Sequence, residues 1–165
     1  MHTKALVLLL SASTALSACA ASGTVQSGNM QKEAHTMMTA KTHSVTSHYA
    51  FQETLNRLQE AIRAKGMMVF TAIDHQAAAR KHGLQMQPAT VLIFGAPKAG
   101  TPLMVKDPAF ALQLPLRVLV TEVNGQVQVV FNDTRALISG SHINYADVEN
   151  TLANAEKLIR ATVSQ

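Results

Sequence analysis

After residue 42 the apolar positions of this chain change period repeatedly, and each change marks an element. Val45 to Tyr49 sets β-branched and aromatic residues in rough alternation and predicts a first strand. From Phe51 to Lys65 the spacing opens to that of a helix, with Leu55, Leu58 and Ile62 on one face and Glu53, Arg57, Glu60 and Arg63 elsewhere. Gly66 is the expected stop, since the left-handed backbone that closes a helix costs glycine nothing. Met67 to Ile73 is short and nearly all apolar, as a second strand should be. Asp74 then suits an N-cap, Gly83 a stop, and the Ala-rich residues between them a short helix. Pro88 introduces a third strand, Thr90 to Phe94, whose unbroken apolar run predicts a central, doubly covered position.

That strand ends in a dense cluster of Gly and Pro, Gly95-Ala96-Pro97-Lys98-Ala99-Gly100-Thr101-Pro102. Thr101 can cap a brief helical turn there, with Pro102 at the first helical position, where its missing N–H does no harm. Pro108 and Pro115 keep the next segment from forming a long helix. Leu116 to Val123 and Gln126 to Asn132 read as strands joined by Asn124-Gly125, a pair whose tolerance of positive φ makes it a strong hairpin signal. A last helix is expected from about Tyr145 to Thr162, capped by Asn144, with Val148, Leu152, Ala155 and Ile159 in one stripe. Strand, helix, four strands with small helical insertions and a final helix predict an α+β fold. Its architecture is a two-layer sandwich, an antiparallel sheet with two main helices over one face.

Ahead of this domain the sequence changes character. Residues 1–18 carry Lys4, an apolar core from Ala5 to Leu10 and then small residues leading to Leu16-Ser17-Ala18-Cys19, which is the pattern of an export signal. It resembles bacterial lipoprotein signals, in which the cysteine becomes the lipidated N-terminus, so Cys19 is the expected lipidation site. The apolar run falls short of the ~20 residues needed to span a bilayer. With a single cysteine in 165 residues, no intramolecular disulfide can form. Residues 19–42, rich in Ala, Ser, Thr, Gly, Gln and Met, read as a flexible lipid-anchored tether, and 43–165 as one domain. The expected place is the cell envelope, membrane-anchored and facing the periplasm. Of 14 Lys and Arg, Lys4 leaves with the leader, and the rest are scattered against 10 Asp and Glu, so no nucleic-acid partner is implied.

From about Val45 to Ile159 the chain resembles the bacterial and archaeal domain-of-unknown-function family 302. The residues that carry the resemblance are Ile73-Asp74-His75 with Ala77 to Ala79, Gly83-Leu84, the run from Leu92 to Met104, Leu114 to Val120, and Asn132-Asp133. The resemblance implies a TATA-binding-protein-like fold, β-α-β-β-β-β-α, in agreement with the order read from periodicity, and a homodimer. The chain departs from the family pattern at Ala96, where the family usually has Asn, at Thr121, where it has Trp, and at Phe131-Asn132-Asp133-Thr134, where it has Tyr-Asn-Asp-Pro.

Candidate chemistry gathers at a few places. Gly95 and Gly100 have the spacing of a phosphate loop, but Thr101 stands where that motif needs Lys, which argues against nucleotide hydrolysis. In a milder reading the N–H groups of Gly100 and Thr101 form an anion nest beside Lys98, or the loop only shapes the strand exit. Asp74 and His75, at a strand end and helix start, suit a proton carrier or metal ligand, or simply a cap and a surface histidine. Asn132 and Asp133, after the hairpin, suit convergence on the same end, or are ordinary turn residues. No nucleophile stands with a base, and no Ser lies in a nucleophile elbow, so enzyme activity is not expected. Met30, His35, Met37, Met38, His43 and His48 place thioether and imidazole groups in one short span, a soft ligand set that favours copper, Cu(I) above all. The sequence thus leads to a non-enzymatic small-ligand or ion-binding module at Asp74, His75, Gly95, Lys98, Gly100, Thr101, Asn132 and Asp133. The alternatives are a structural, dimerising module of the envelope, or a copper-binding tether.

Overall fold

A computed structural model describes residues 41–164. The leader, Cys19, Met30, His35, Met37 and Met38 lie outside them. The elements are β1 (Thr42–Thr46), α1 (Phe51–Ala64), β2 (Met68–Asp74), α2 (His75–Lys81), β3 (Ala89–Gly95) and α3 (Pro97–Lys106), followed by a 3-10 helix (Pro108–Gln113). Then come β4 (Leu116–Val123), β5 (Gln126–Asn132), α4 (Thr134–Ile138), α5 (Tyr145–Val148) and α6 (Leu152–Ser164). The strands form one sheet in the order β1-β5-β4-β3-β2, with every neighbouring pair antiparallel. The expected α+β two-layer architecture is therefore present.

Alternation along the strands explains the layering. Leu92 and Phe94 of β3, Val118 and Val120 of β4, and Val129 and Phe131 of β5 point to one face and are buried there. They meet Leu55, Leu58 and Ile62 of α1 and Ala155, Ile159 and Val163 of α6. Each such side chain contributes about 1.5–3 kcal/mol on burial, so this seam dominates the stability. The intervening residues Val91, Ile93, Leu119 and Val130 are only half-buried, because among the described residues no helix layer covers that face, so β3 is an inner strand covered on one face and not on two as expected. A second apolar cluster, Leu103, Phe110, Leu137, Ile143, Val148 and Leu152, closes one end of the sandwich. The hairpin turn follows the sequence rule, with φ of 53° at Asn124 and 75° at Gly125.

Four local expectations need correction. The first strand is Thr42–Thr46 rather than Val45 to Tyr49. The chain leaves the sheet because the Ser47 hydroxyl sits 2.7 Å from that of buried Thr54 and accepts the Tyr49 N–H, fixing the entry to α1. The helical segment after β3 is ten residues long and begins at Pro97, not Thr101, with Pro102 inside it. The proline-first rule holds, but at the earlier proline. The last helix is broken in two at residues 149–151, where the Thr151 N–H and hydroxyl both donate to the Val148 carbonyl. Asn144 caps the first piece, with Asp147 in a capping box. Finally, α4 was not expected, and Asp133 caps it by accepting the Ala136 N–H at 2.7 Å.

Candidate ligand-binding cleft

The Gly-Pro run after β3 borders a cleft of about 780 Å3, within the range of small-molecule sites. One wall is α6, through Leu152, Ala155, Leu158 and Ala161, and another is α3, through Pro97, Gly100 and Met104. Leu114, Pro115 and Leu116 lie between. The remaining wall comes from β2 by way of a bulge. Register with β3 shifts between Val69 and Thr71, so Phe70 is the extra residue and its ring lines the cleft. A Cβ added to Gly95 would meet that ring at 3.6 Å and Pro115 at 3.7 Å, ordinary van der Waals contact. Gly100 is tighter: a Cβ there would come within 3.2 Å of the Leu114 side chain, so glycine lets α3 approach this wall.

Polar groups are sparse. Lys65, at the end of α1, and Lys157, on α6, line the cleft, are exposed and take part in no ion pair among the described residues. Asn150, Thr151, Asn154 and Thr101 add neutral groups, and among the described residues no carboxylate lines the space. An apolar body with an anionic head fits this distribution.

Gly95, Gly100 and Thr101 of the expected site line the cleft, while Lys98 is exposed and does not. The anion nest is not formed, because the Gly100 N–H donates to the Ala96 carbonyl at 3.0 Å inside α3. Thr101 lies deeper still in the same helix, where amides bond to carbonyls four residues back. Asp74 and His75 do not join the loop: Asp74 pairs with Thr90 at one end of β2 and β3, whereas Gly95 pairs with Met68 at the other. Asp74 acts as the N-cap of α2, accepting the Ala77 N–H, and His75 is exposed. Asn132 borders a small void of about 20 Å3 with Thr134 and Glu156. Asp133 pairs with His43, as does Glu156. His48 sits in the turn after β1, its backbone N–H donated to Val163, apart from His43.

Sequence reasoning missed Phe70, Lys65, Lys157 and Glu156. The first was absorbed into a continuous apolar strand, and a bulge has no strong sequence mark. Glu156 did leave a signal: it falls at the i+4 position from Leu152 and three before Ile159, a charge set within the apolar stripe of α6.

The family described as "Domain of unknown function DUF302" matches residues 43–164. The chain belongs to the DUF302 family. A crystal structure of an uncharacterized conserved DUF302 protein from Bacillus stearothermophilus shares the fold, with a TM-score of 0.64 at 20% identity, covering 74% of this chain and 94% of that one. Among curated proteins, this DUF302 chain is 38% identical over 91 residues to fluoride-specific ion channel FluC 1 of Brucella suis biovar 1 (strain 1330), covering 54% of this chain and 36% of that protein. The match to FluC 2 of Brucella melitensis biotype 1 (strain ATCC 23456 / CCUG 17765 / NCTC 10094 / 16M) is likewise 38% over 91 residues, 54% of this chain and 34% of that protein. The chain thus spans about a third of the length of these curated relatives. Among the described residues no helix is long and apolar enough to cross a membrane. Within DUF302 the resemblance implies Asn at the position of Ala96, which here lines the cleft and makes it less polar.

Proposed function

We propose that this DUF302 domain is a non-enzymatic binding module for a small amphipathic anion, held in the cleft between α3, α6 and the β2 bulge. The observation that carries the reading is the cleft's division of chemistry, with apolar walls, Lys65 and Lys157 as the lining charges, and no carboxylate among the described residues. Apolar contact with Phe70, Leu158 and Ala161 supplies affinity, and the lysines select the charged head. Ion conduction belongs to the Brucella relatives by name, and nothing in an apolar space of this size suits a bare halide. The test is fluorescence titration with a dansylated medium-chain fatty acid and with its alcohol analogue. Lys65→Glu and Lys157→Glu should weaken the acid and leave the alcohol unchanged. Equal loss for both probes, or no saturable binding to the native chain, contradicts the proposal.

A second reading rests on a different observation. Among the described residues the sheet face bearing Val91, Ile93, Leu119 and Val130 has no helix layer, and Met68 and Ile73 on edge strand β2 are exposed. Such a face suits a homodimer in the cell envelope. Light scattering after gel filtration should give a dimer for the native chain and a monomer for Leu119→Lys; a native monomer rules it out. The Cys19 signal is the support for lipid anchoring at a periplasm-facing membrane surface. Palmitate labelling that persists in Cys19→Ser removes that part of the reading.

A further inference from the structure

Three side chains from separate elements meet at the β1 edge of the sheet. The His43 Nε2 lies 2.9 Å from Asp133 Oδ2 and 2.8 Å from Glu156 Oε1, and the three ligand atoms all fall within 4.8 Å of one another. We propose that His43, Asp133 and Glu156 bind a six-coordinate divalent ion of the Mn2+ or Fe2+ class. None of the three lines the ligand cleft, so this is a separate site.

The distances support the coordination number. Two ligand atoms each about 2.1 Å from one ion are about 3.0 Å apart when they subtend roughly 90°, and about 3.4 Å apart at the tetrahedral angle. The observed nitrogen–oxygen separations of 2.8 and 2.9 Å are closer to neighbouring corners of an octahedron than to those of a tetrahedron.

The direction of the imidazole nitrogen is independent support. The His43 Nε2 is shut off from solvent and makes no hydrogen bond, despite two carboxylate oxygens within reach. A ring nitrogen offers one in-plane direction, and that of His43 Nε2 is taken up by neither carboxylate as a hydrogen bond. An ion shared with the two oxygens would use it.

The carboxylates are also held for the task. Asp133 spends Oδ1 on the Ala136 N–H at 2.7 Å and presents Oδ2. Glu156 accepts from the Thr134 hydroxyl at 2.9 Å with Oε2 and presents Oε1. Second bonds of this kind fix ligand orientation in metal sites. With neutral imidazole the set carries two negative charges, which a divalent ion balances. Arg160, 3.6 Å from Glu156 Oε1 and over the Phe131 ring, offsets only part of them. One nitrogen and two oxygens, without sulfur, favour a harder ion than Cu(I). The Asp133 and Glu156 side chains keep 27% and 20% of their surface, which leaves an approach for water to the other positions.

The experiment is a Mn2+ titration of the chelator-treated full-length chain, following free ion by electron paramagnetic resonance. The expected result is one equivalent bound per chain, weakened at least about tenfold by His43→Gln and by Glu156→Gln. Asp133→Asn should weaken it too while keeping α4 capped, since Asn caps as well as Asp. Melting curves of the variants establish that they are folded. Binding weaker than about 1 mM, the range of the weakest extracellular cation modules, overturns the proposal. So does binding that His43→Gln leaves unchanged, which would put the ion elsewhere. A native chain that ignores Mn2+ while His43→Gln lowers its melting temperature would make the cluster a plain imidazolium ion pair, and overturns it as well.

Discussion

Replacing Phe70 by Ala separates the cleft from the rest of the surface. The ring belongs to the β2 bulge, is 49% exposed and lines the cleft; Met68, two residues earlier on the same edge, is 53% exposed and does not. An aromatic side chain carries on the order of 200 Å2 of surface, so about half, ~100 Å2, is open to a ligand. At about 25 cal/mol per Å2, covering it contributes about 2.5 kcal/mol, or roughly 60-fold in affinity. The half already packed costs a similar amount on truncation, about 2 kcal/mol once the retained Cβ is counted. For a domain of this size that lowers the melting temperature by roughly 6–10 °C. Phe70→Ala should therefore bind the dansylated acid tens of times more weakly and melt earlier, while Met68→Ala binds as the native chain does. The assay is the same titration, run well below either melting point. Equal losses in the two variants, or native affinity in Phe70→Ala, refute the reasoning.

Further consequences follow from single contacts. Leu92 is fully buried in the seam between sheet and helices, so Leu92→Ala should cost about 2–5 kcal/mol in urea unfolding; a loss under about 1 kcal/mol would mean the seam is not the main core. Asp107 has its carboxyl held below its ordinary value of 3.8, first by the N–H donated from His142 and, against the effect of burial, by that of Ala109. Its folded pKa lies below its unfolded one, so its stabilisation is complete above that ordinary value and lost as the pH falls through the lowered one. The advantage of native protein over Asp107→Asn should accordingly shrink as melting is repeated at falling pH below 3.8; a difference constant with pH contradicts this. Gly100→Ala should gain up to about 1 kcal/mol, since Ala is the better helix residue and its methyl meets the ends of two flexible side chains, Leu114 at 3.2 Å, which must give by a few tenths of an ångström, and Met104 at 3.9 Å; destabilisation would show that this wall cannot give.

Much of the scaffold was legible because its signals are local. The stripe of Leu55, Leu58 and Ile62 placed α1, Asp74 and Gly83 bracketed α2, and Asn124-Gly125 fixed the hairpin. Errors arose where two local rules competed. Pro97 and Pro102 both fit the start of a helix, and the choice of the later one misplaced Gly100, turning an amide bonded inside α3 into an open donor. The site was less legible because it is made by long-range pairing. Asp74 and Gly95 both sit at strand–helix junctions, but antiparallel pairing of β2 with β3 sends them to opposite ends of the sheet. His43 and Asp133 carried the right chemistry, yet their meeting depends on β1 crossing to pair with β5 and on α6 returning Glu156 to that edge. The Phe70 wall rests on a one-residue bulge that a uniformly apolar strand does not announce.

The location of binding is the central claim, and amide chemical-shift mapping with decanoate tests it most directly. In the labelled full-length chain, saturable shifts are predicted at Gly95, Gly100, Leu158 and Ala161, with His75, Asn124 and Gly125 unmoved. Shifts confined to Val91, Leu119 and Val130 on the uncovered sheet face, or no saturable shift at any of these amides, would contradict the account.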